Sequence, residues 1–255
     1  MSLTSHSNRQ LVVALAIAIP AGIVAQHLFS IYRQISGVSP KHIHSSNTIP
    51  PSLRQSDTIQ QHVNPHNHVA MEDTRYIDLR IPRGAVSVPT DEALLAYFVK
   101  GFFGGKVLAF ERSILQMTRL EVTQYASIKS ASPRKVIWTM TEVLPPHLPP
   151  LHSTLFGSFQ VADISLASSA DPSEASHIDF VFGNGASGFA GVHRFTVSRT
   201  QSEDEAVRIL YAHLTCNPTV NKPFQPERVI HALHNVYAML LFREGVAEVK
   251  RFLKQ

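Results

Sequence analysis

The chain of 255 residues predicts an α+β fold. A curved antiparallel sheet of about seven strands grips a long C-terminal helix, two short helices follow the first strand, and a transmembrane helix precedes them. Three observations carry this reading. The segments 177–183, 189–199 and 206–216 are strand-like and joined by short polar turns, so they must be antiparallel neighbours. The chain then ends in a long amphipathic stretch opened by Pro226. Before them, one alternating strand leads into two apolar helical segments.

Leu11 to Ala25 contains no charge and no hydrogen-bonding side chain, and the uncharged run continues to Tyr32. As a helix, 11–32 would span about 33 Å, enough for a hydrocarbon core of roughly 30 Å. Residues 1–33 are therefore expected to be a single-pass membrane anchor, with a cleaved signal peptide or a mitochondrial address as alternatives. Arg33, Lys41 and Arg54 after the span outnumber Arg9 before it, which favours a domain facing the cytoplasm. Residues 34–73 are rich in Ser, Pro, His, Asn and Gln without apolar periodicity, and read as a flexible polar linker. His62, His66 and His68 within it read as linker residues rather than a metal site, for want of a fourth ligand.

The folded domain is expected over 74–255. In 76–81 the residues Ile77, Leu79 and Ile81 share one face of a strand. Thr90 is a candidate N-cap for a helix bearing Leu94, Phe98 and Phe102, ended by Gly104 and Gly105. A second helix carries Val107, Phe110, Ile114 and Met117 on one face. Gly101 to Lys106 lacks the spacing and the following Ser or Thr of a phosphate loop. Segments 121–127 and 135–143 read as strands, the second carrying Trp138, the sole tryptophan. The proline-rich 144–150 reads as an extended connector over the mouth of the domain. Strand character resumes at 155–166.

Facing Phe182 with Phe189, and Val197 with Val207, puts Ile178, Phe180, Phe182, His193, Phe195, Val197, Ile209, Tyr211 and His213 on one apolar face. The opposite face, with Asp179, Arg194 and Arg208, is expected in water. Leu210, Ala212 and Leu214 suggest that the last strand is covered on both sides. On the final helix, Val229, Leu233, Val236, Leu240 and Ala247 mark the face expected to lie on the sheet.

This order of elements resembles the START-like helix-grip superfamily, over residues 74–255 and by topology alone. The resemblance implies a cavity between sheet and helix that takes lipids, polyketides or other apolar molecules, and some members are enzymes; it carries no site residues.

The function expected first is membrane-anchored binding of a hydrophobic small molecule or lipid, with the membrane contacted through residues 11–32. Phe180, Phe182, Phe195, Ile209 and Trp138 are the candidate ligand contacts. The alternative is a cyclase, isomerase or hydrolase of a hydrophobic metabolite, using His193 as acid or base with Tyr211 or His213. A third reading is a non-catalytic scaffold. No cofactor or metal is expected; His231 and His234 lack a third ligand. The net charge of +4 is scattered and forms no basic stripe, which argues against nucleic acid. A single cysteine, Cys216, excludes an internal disulfide framework.

Overall fold

A computed structural model describes residues 22–81, 88–123, 125–128, 135–167, 174–200, 206–223 and 228–254, with side chains at all of these except 200 and 228–231. The fold is α+β, built on one curved, mixed sheet of eight strands in the order β1-β2-β8-β7-β6-β5-β4-β3. The strands are β1 His44–Ser46, β2 Ala70–Arg80, β3 Val136–Ile137, β4 Thr154–Leu155, β5 Phe159–Ser165, β6 Ser176–Gly183, β7 Ala190–Thr200 and β8 Ala206–Cys216. All pairs are antiparallel except β3 with β4. The helices are α1 over 22–35, α2 Pro51–Arg54, α3 Asp91–Gly104, α4 Ala109–Thr118 and α5 Arg228–Phe252.

On the concave face, α3 and α5 cover the sheet. Thr90 caps α3 as the sequence predicts, its hydroxyl accepting from the Ala93 N–H at 3.2 Å. Leu94, Leu95, Phe98, Phe102 and Phe103 are all buried. They meet the aromatic side chains of the sheet, Phe98 touching Phe195 and Phe103 touching Phe180 with ring centroids 4.9 Å apart. The two helices approach closely because Gly101 and Gly245 lack side chains. A Cβ on Gly101 would stand 2.6 Å from the Glu244 carbonyl oxygen, and one on Gly245 would stand 2.6 Å from the Phe98 ring. Beside them, the fully buried Glu244 carboxylate accepts from the Lys106 and Val107 N–H groups at 2.8 and 2.9 Å. Arg112 donates to the carbonyls of Phe103 and Gly105 at 2.7 and 2.9 Å. The turn between α3 and α4 thus has both its donors and its acceptors satisfied by side chains.

The outer face is not in water. Residues 34–73, expected as a flexible linker, hold three short helical turns and part of the sheet, and they pack across that face. Ile49, Leu53, Ile59 and Val63 join Val181, Val192, Ala212, Leu214 and Cys216 in a second apolar cluster. Beneath them Arg194 pairs with Asp179 through two hydrogen bonds of 2.6 Å, and Thr58 donates to the same carboxylate at 2.6 Å. Both charged residues are buried, so this is not the solvated pair expected from alternation. Arg208 does stay at the surface, paired with Asp78. The last strand is covered on both sides, as Leu210, Ala212 and Leu214 suggest.

Other expectations change in detail. Register is shifted by two residues: Phe180 faces His193, and Phe195 faces Tyr211. A two-residue shift keeps every side chain on its face, so the apolar face survives. β2 begins at Ala70, six residues before the expected strand, because it pairs with all of β8. The described residues of 121–127 form no strand; the Val122 and Thr123 N–H groups both donate to the Gly157 carbonyl. Only Val136–Ile137 of 135–143 is strand. The 144–150 connector lies at the start of α3, where His147 and the Leu148 N–H meet Glu92, and not over a mouth. On α5 the stripe that meets the core runs through Ala238, Leu241, Phe242, Val246 and Val249, whereas Leu233 and Val236 are exposed; the side chain of Val229 is not described.

The end of α1 docks on α5, where Arg243 donates to the Val38 and Ile35 carbonyls and Lys250 to the Gly37 carbonyl. The expected anchor lies outside the described residues from 1 to 21, and no single described helix is long and apolar enough to cross a membrane.

A fragment starting at residue 74 should not fold, because it lacks the outer-face cover and the first four residues of β2. Near-UV circular dichroism should show native tertiary signal for 34–255 and none for 74–255.

Candidate functional site

The floor of the site comes from the period of two along β7 and β8. Tyr211, His213 and Thr215 alternate onto the concave face, and His193 sits directly opposite His213. The His193 Nδ1 lies 3.2 Å from the Tyr211 hydroxyl and 3.1 Å from the His213 Nδ1. The His213 Nε2 in turn lies 2.8 Å from the Thr215 hydroxyl. The three residues read from the sequence as candidate catalytic groups are therefore brought together, and Thr215 extends them into a chain of four.

Above this floor is a cavity of about 500 Å³. Phe102 and Phe103 of α3 and Leu108 form one wall, and His234, Tyr237, Ala238 and Leu241 of α5 form another. Phe182 stacks beside the histidines, 4.6 Å from the His193 ring and 5.7 Å from that of His213. Val122 and Phe189, both lining residues, are exposed at the rim.

Of the five expected ligand contacts, only Phe182 lines the cavity. Phe180 and Phe195 lie on the same face but are fully buried in the ring cluster with Phe98, Phe102 and Phe103, which fills that end of the concavity. Ile209 is buried in the core beyond them. Trp138 lies away from the cavity, its ring under the Arg119 guanidinium at 4.8 Å and its carbonyl accepting from Gln116 at 2.7 Å. The cavity residues that the sequence reading missed are chiefly His234 and Tyr237. Their spacing to Ala238 and Leu241 places them on the buried stripe of α5, which the exposed Leu233 and Val236 obscured.

No Lys, Arg, Asp or Glu is among the described residues that line the cavity. Two buried charges, Asp73 and Arg75, lie on β2 opposite His213 and Tyr211 and pair with each other. Burial, reinforced by His234, pushes the His193 pKa down to about 3. Burial and the neighbouring histidines hold His213 well below the usual imidazole range. Burial raises the Tyr211 hydroxyl above its ordinary value. At neutral pH the floor is a set of uncharged groups, each able to donate or accept a hydrogen bond.

The donor set that comes nearest to a metal site lies on the outer face, where Asp163, His177 and Asp179 converge. It does not suit a cation. Arg194 and Thr58 already occupy the Asp179 oxygens, and His177 holds Asp163 at 2.9 Å. In the N-terminal stretch, His62 bonds Ser127 and His68 bonds the Asn217 carbonyl, so both serve as structural contacts. The side chain of His231 is not described.

Because the folded state disfavours the imidazolium of His193, stability is complete above the unfolded-state pKa of 6.5 and is lost as pH falls toward 3. The loss for His193 alone is ~2–3 kcal/mol between pH 6.5 and 4.5. Urea unfolding at these two pH values should show that His193→Phe removes a loss of this size from the total. Neither protein-family models nor curated proteins give any match to the chain.

Proposed function

We propose that the protein binds a hydrophobic small molecule or lipid in the cavity between the sheet and α5, on a START-like architecture held at a membrane by its N-terminal segment. The observation that carries this reading is the cavity itself: about 500 Å³, walled by apolar side chains, with His193, Tyr211 and His213 gathered at its floor. Pockets of this size and lining suit ligands that are mostly apolar with one oriented polar group. A scaffold with a filled core would lack such a space. The START-like reading is supported by the helix lying across the concave face of a mostly antiparallel sheet, with two helices inserted after β2.

The enzyme reading draws on the 3.2 Å contact between His193 and Tyr211. Against it stands the low basicity of His193, since a general base works best when its pKa lies near the working pH. Binding is therefore the stronger reading.

The membrane part rests on apolar surface as well as on the uncharged run from Leu11 to Tyr32. Ile23, Val24, Leu28 and Phe29 of α1 are exposed, as are Phe110, Ile114 and Met117 of α4. The last three share one apolar face of α4, and they point to solvent. Leu108 before α4 and Val122 after it both line the cavity, so α4 belongs to the segment that borders it. A bilayer is the occupant that suits an apolar rim next to an apolar N-terminal segment.

Two measurements test these readings. The full chain, extracted from membranes, should carry about one apolar molecule per chain by native mass spectrometry, or else take up a neutral apolar fluorophore. Met71→Trp, which fills the cavity from β2, should lose both with its melting temperature retained; an empty wild-type chain that takes up nothing would refute the reading. Phe110→Asp with Met117→Asp should slow transfer of the fluorophore to phosphatidylcholine vesicles by roughly tenfold. An unchanged rate would remove the rim from the proposal.

A further inference from the structure

We propose that His193, His213 and Thr215 form a neutral hydrogen-bond relay of reversible polarity, which makes the cavity selective for uncharged ligands bearing one hydroxyl or carbonyl oxygen. This inference rests on the cavity-binding reading and names the class of ligand.

The relay follows from which atoms touch. The contact between His193 and His213 joins Nδ1 to Nδ1, so one of the two nitrogens must carry a proton and the other a lone pair. Two neutral arrangements satisfy this. In the first, Thr215 donates to the His213 Nε2, the His213 Nδ1–H donates to the His193 Nδ1, and His193 carries its proton on Nε2. In the second, the His193 Nδ1–H donates to the His213 Nδ1, the His213 Nε2–H donates to Thr215, and the His193 Nε2 is a bare acceptor. Each imidazole holds one proton in both. The Tyr211 hydroxyl, 3.2 Å from the same His193 Nδ1, shares that nitrogen's one lone pair or one proton with His213 as a three-centre contact in either arrangement.

The Nε2 of His193 is the end of the relay, since its other nitrogen is engaged within the floor and the ring lines the cavity. That nitrogen donates to a ligand carbonyl in the first arrangement and accepts from a ligand hydroxyl in the second. Neither requires a change of charge. A carboxylate or an ammonium group meets no counter-charge among the described residues of the cavity lining, and Asp73 and Arg75 on β2 pair with each other. Binding such a group leaves a net charge in an apolar space, which is strongly unfavourable.

The test uses the full chain and five probes sharing one bicyclic body: ethylnaphthalene, acetylnaphthalene, naphthyl ethanol, naphthoate and naphthylethylammonium, measured by calorimetry at pH 7. The ketone and the alcohol should bind within about threefold of each other, and each about three- to tenfold tighter than the hydrocarbon. The two ions should bind at least about tenfold more weakly than the hydrocarbon. His193→Phe and, independently, the near-isosteric Thr215→Val should each reduce the advantage of the ketone and alcohol over the hydrocarbon measured in the same variant. A merely structural role would weaken all the probes together. If the hydrocarbon, ketone and alcohol bind alike, the relay is overturned while the cavity reading stands. If an ion binds most tightly, selectivity for neutral ligands is overturned. If no probe binds at all, the cavity reading falls and the relay with it.

Discussion

The position of everything around the cavity depends on one buried carboxylate. Glu244 projects from α5 into the turn after α3 and accepts two backbone N–H groups there. Burial raises its pKa, and the two N–H groups with Arg112 and Lys106 oppose that rise. The contact leaves no room for a side chain at Gly105. By tying α5 to the end of α3, it fixes Phe102, Phe103 and Leu108 relative to Tyr237, Ala238 and Leu241, the two walls of the site. Removing this acceptor would orphan the buried Val107 N–H, at a cost of about 1–3 kcal/mol, and return the part-buried Lys106 N–H to solvent.

The concave face is divided by the same packing. Toward the middle of the strands, α3 lays its phenylalanines onto Phe180 and Phe195, and the space is filled. Toward the other end, where His193 faces His213, the described side chains of α3 and α5 leave the cavity open above the floor. Polar residues persist there because they satisfy one another, which buried polar groups must do in any case. The result is a floor that is polar without being charged.

Much of this was legible in the sequence where structure is periodic. The strands 177–183, 189–199 and 206–216 emerged nearly in full, and so did the shared face of His193, Tyr211 and His213. A register error of two residues did no harm, since the period of a strand is two. The rest was hidden for physical reasons. Ile49 and Leu53 anchor one short segment and Ile59 and Val63 another, so the helical spacing within each pair breaks off before it forms a readable stripe. Asp179 and Arg194 look solvated by alternation, and only the chain that covers them shows otherwise. On α5 the eye follows Leu233 and Val236, yet the buried stripe includes Gly245, whose contribution is the absence of a side chain. Phe180 and Phe195 illustrate a further limit: face can be read from alternation, but whether that face is filled depends on the helices above it.

The partnership of β2 with β8 has a consequence for the order of events during synthesis. Ala70 pairs with Cys216 and Arg80 with Ala206, so β2 gains its central neighbour only after most of the chain has been made. Until then the N-terminal quarter has little to pair with beyond β1, and the sheet lacks the strand that joins its two halves. Pairings this remote in sequence make for slow folding. The nascent chain must therefore keep β2, with the apolar side chains of Ile77 and Leu79, apart from other chains until β8 has been made, a demand that falls on chaperones or on early capture of that end.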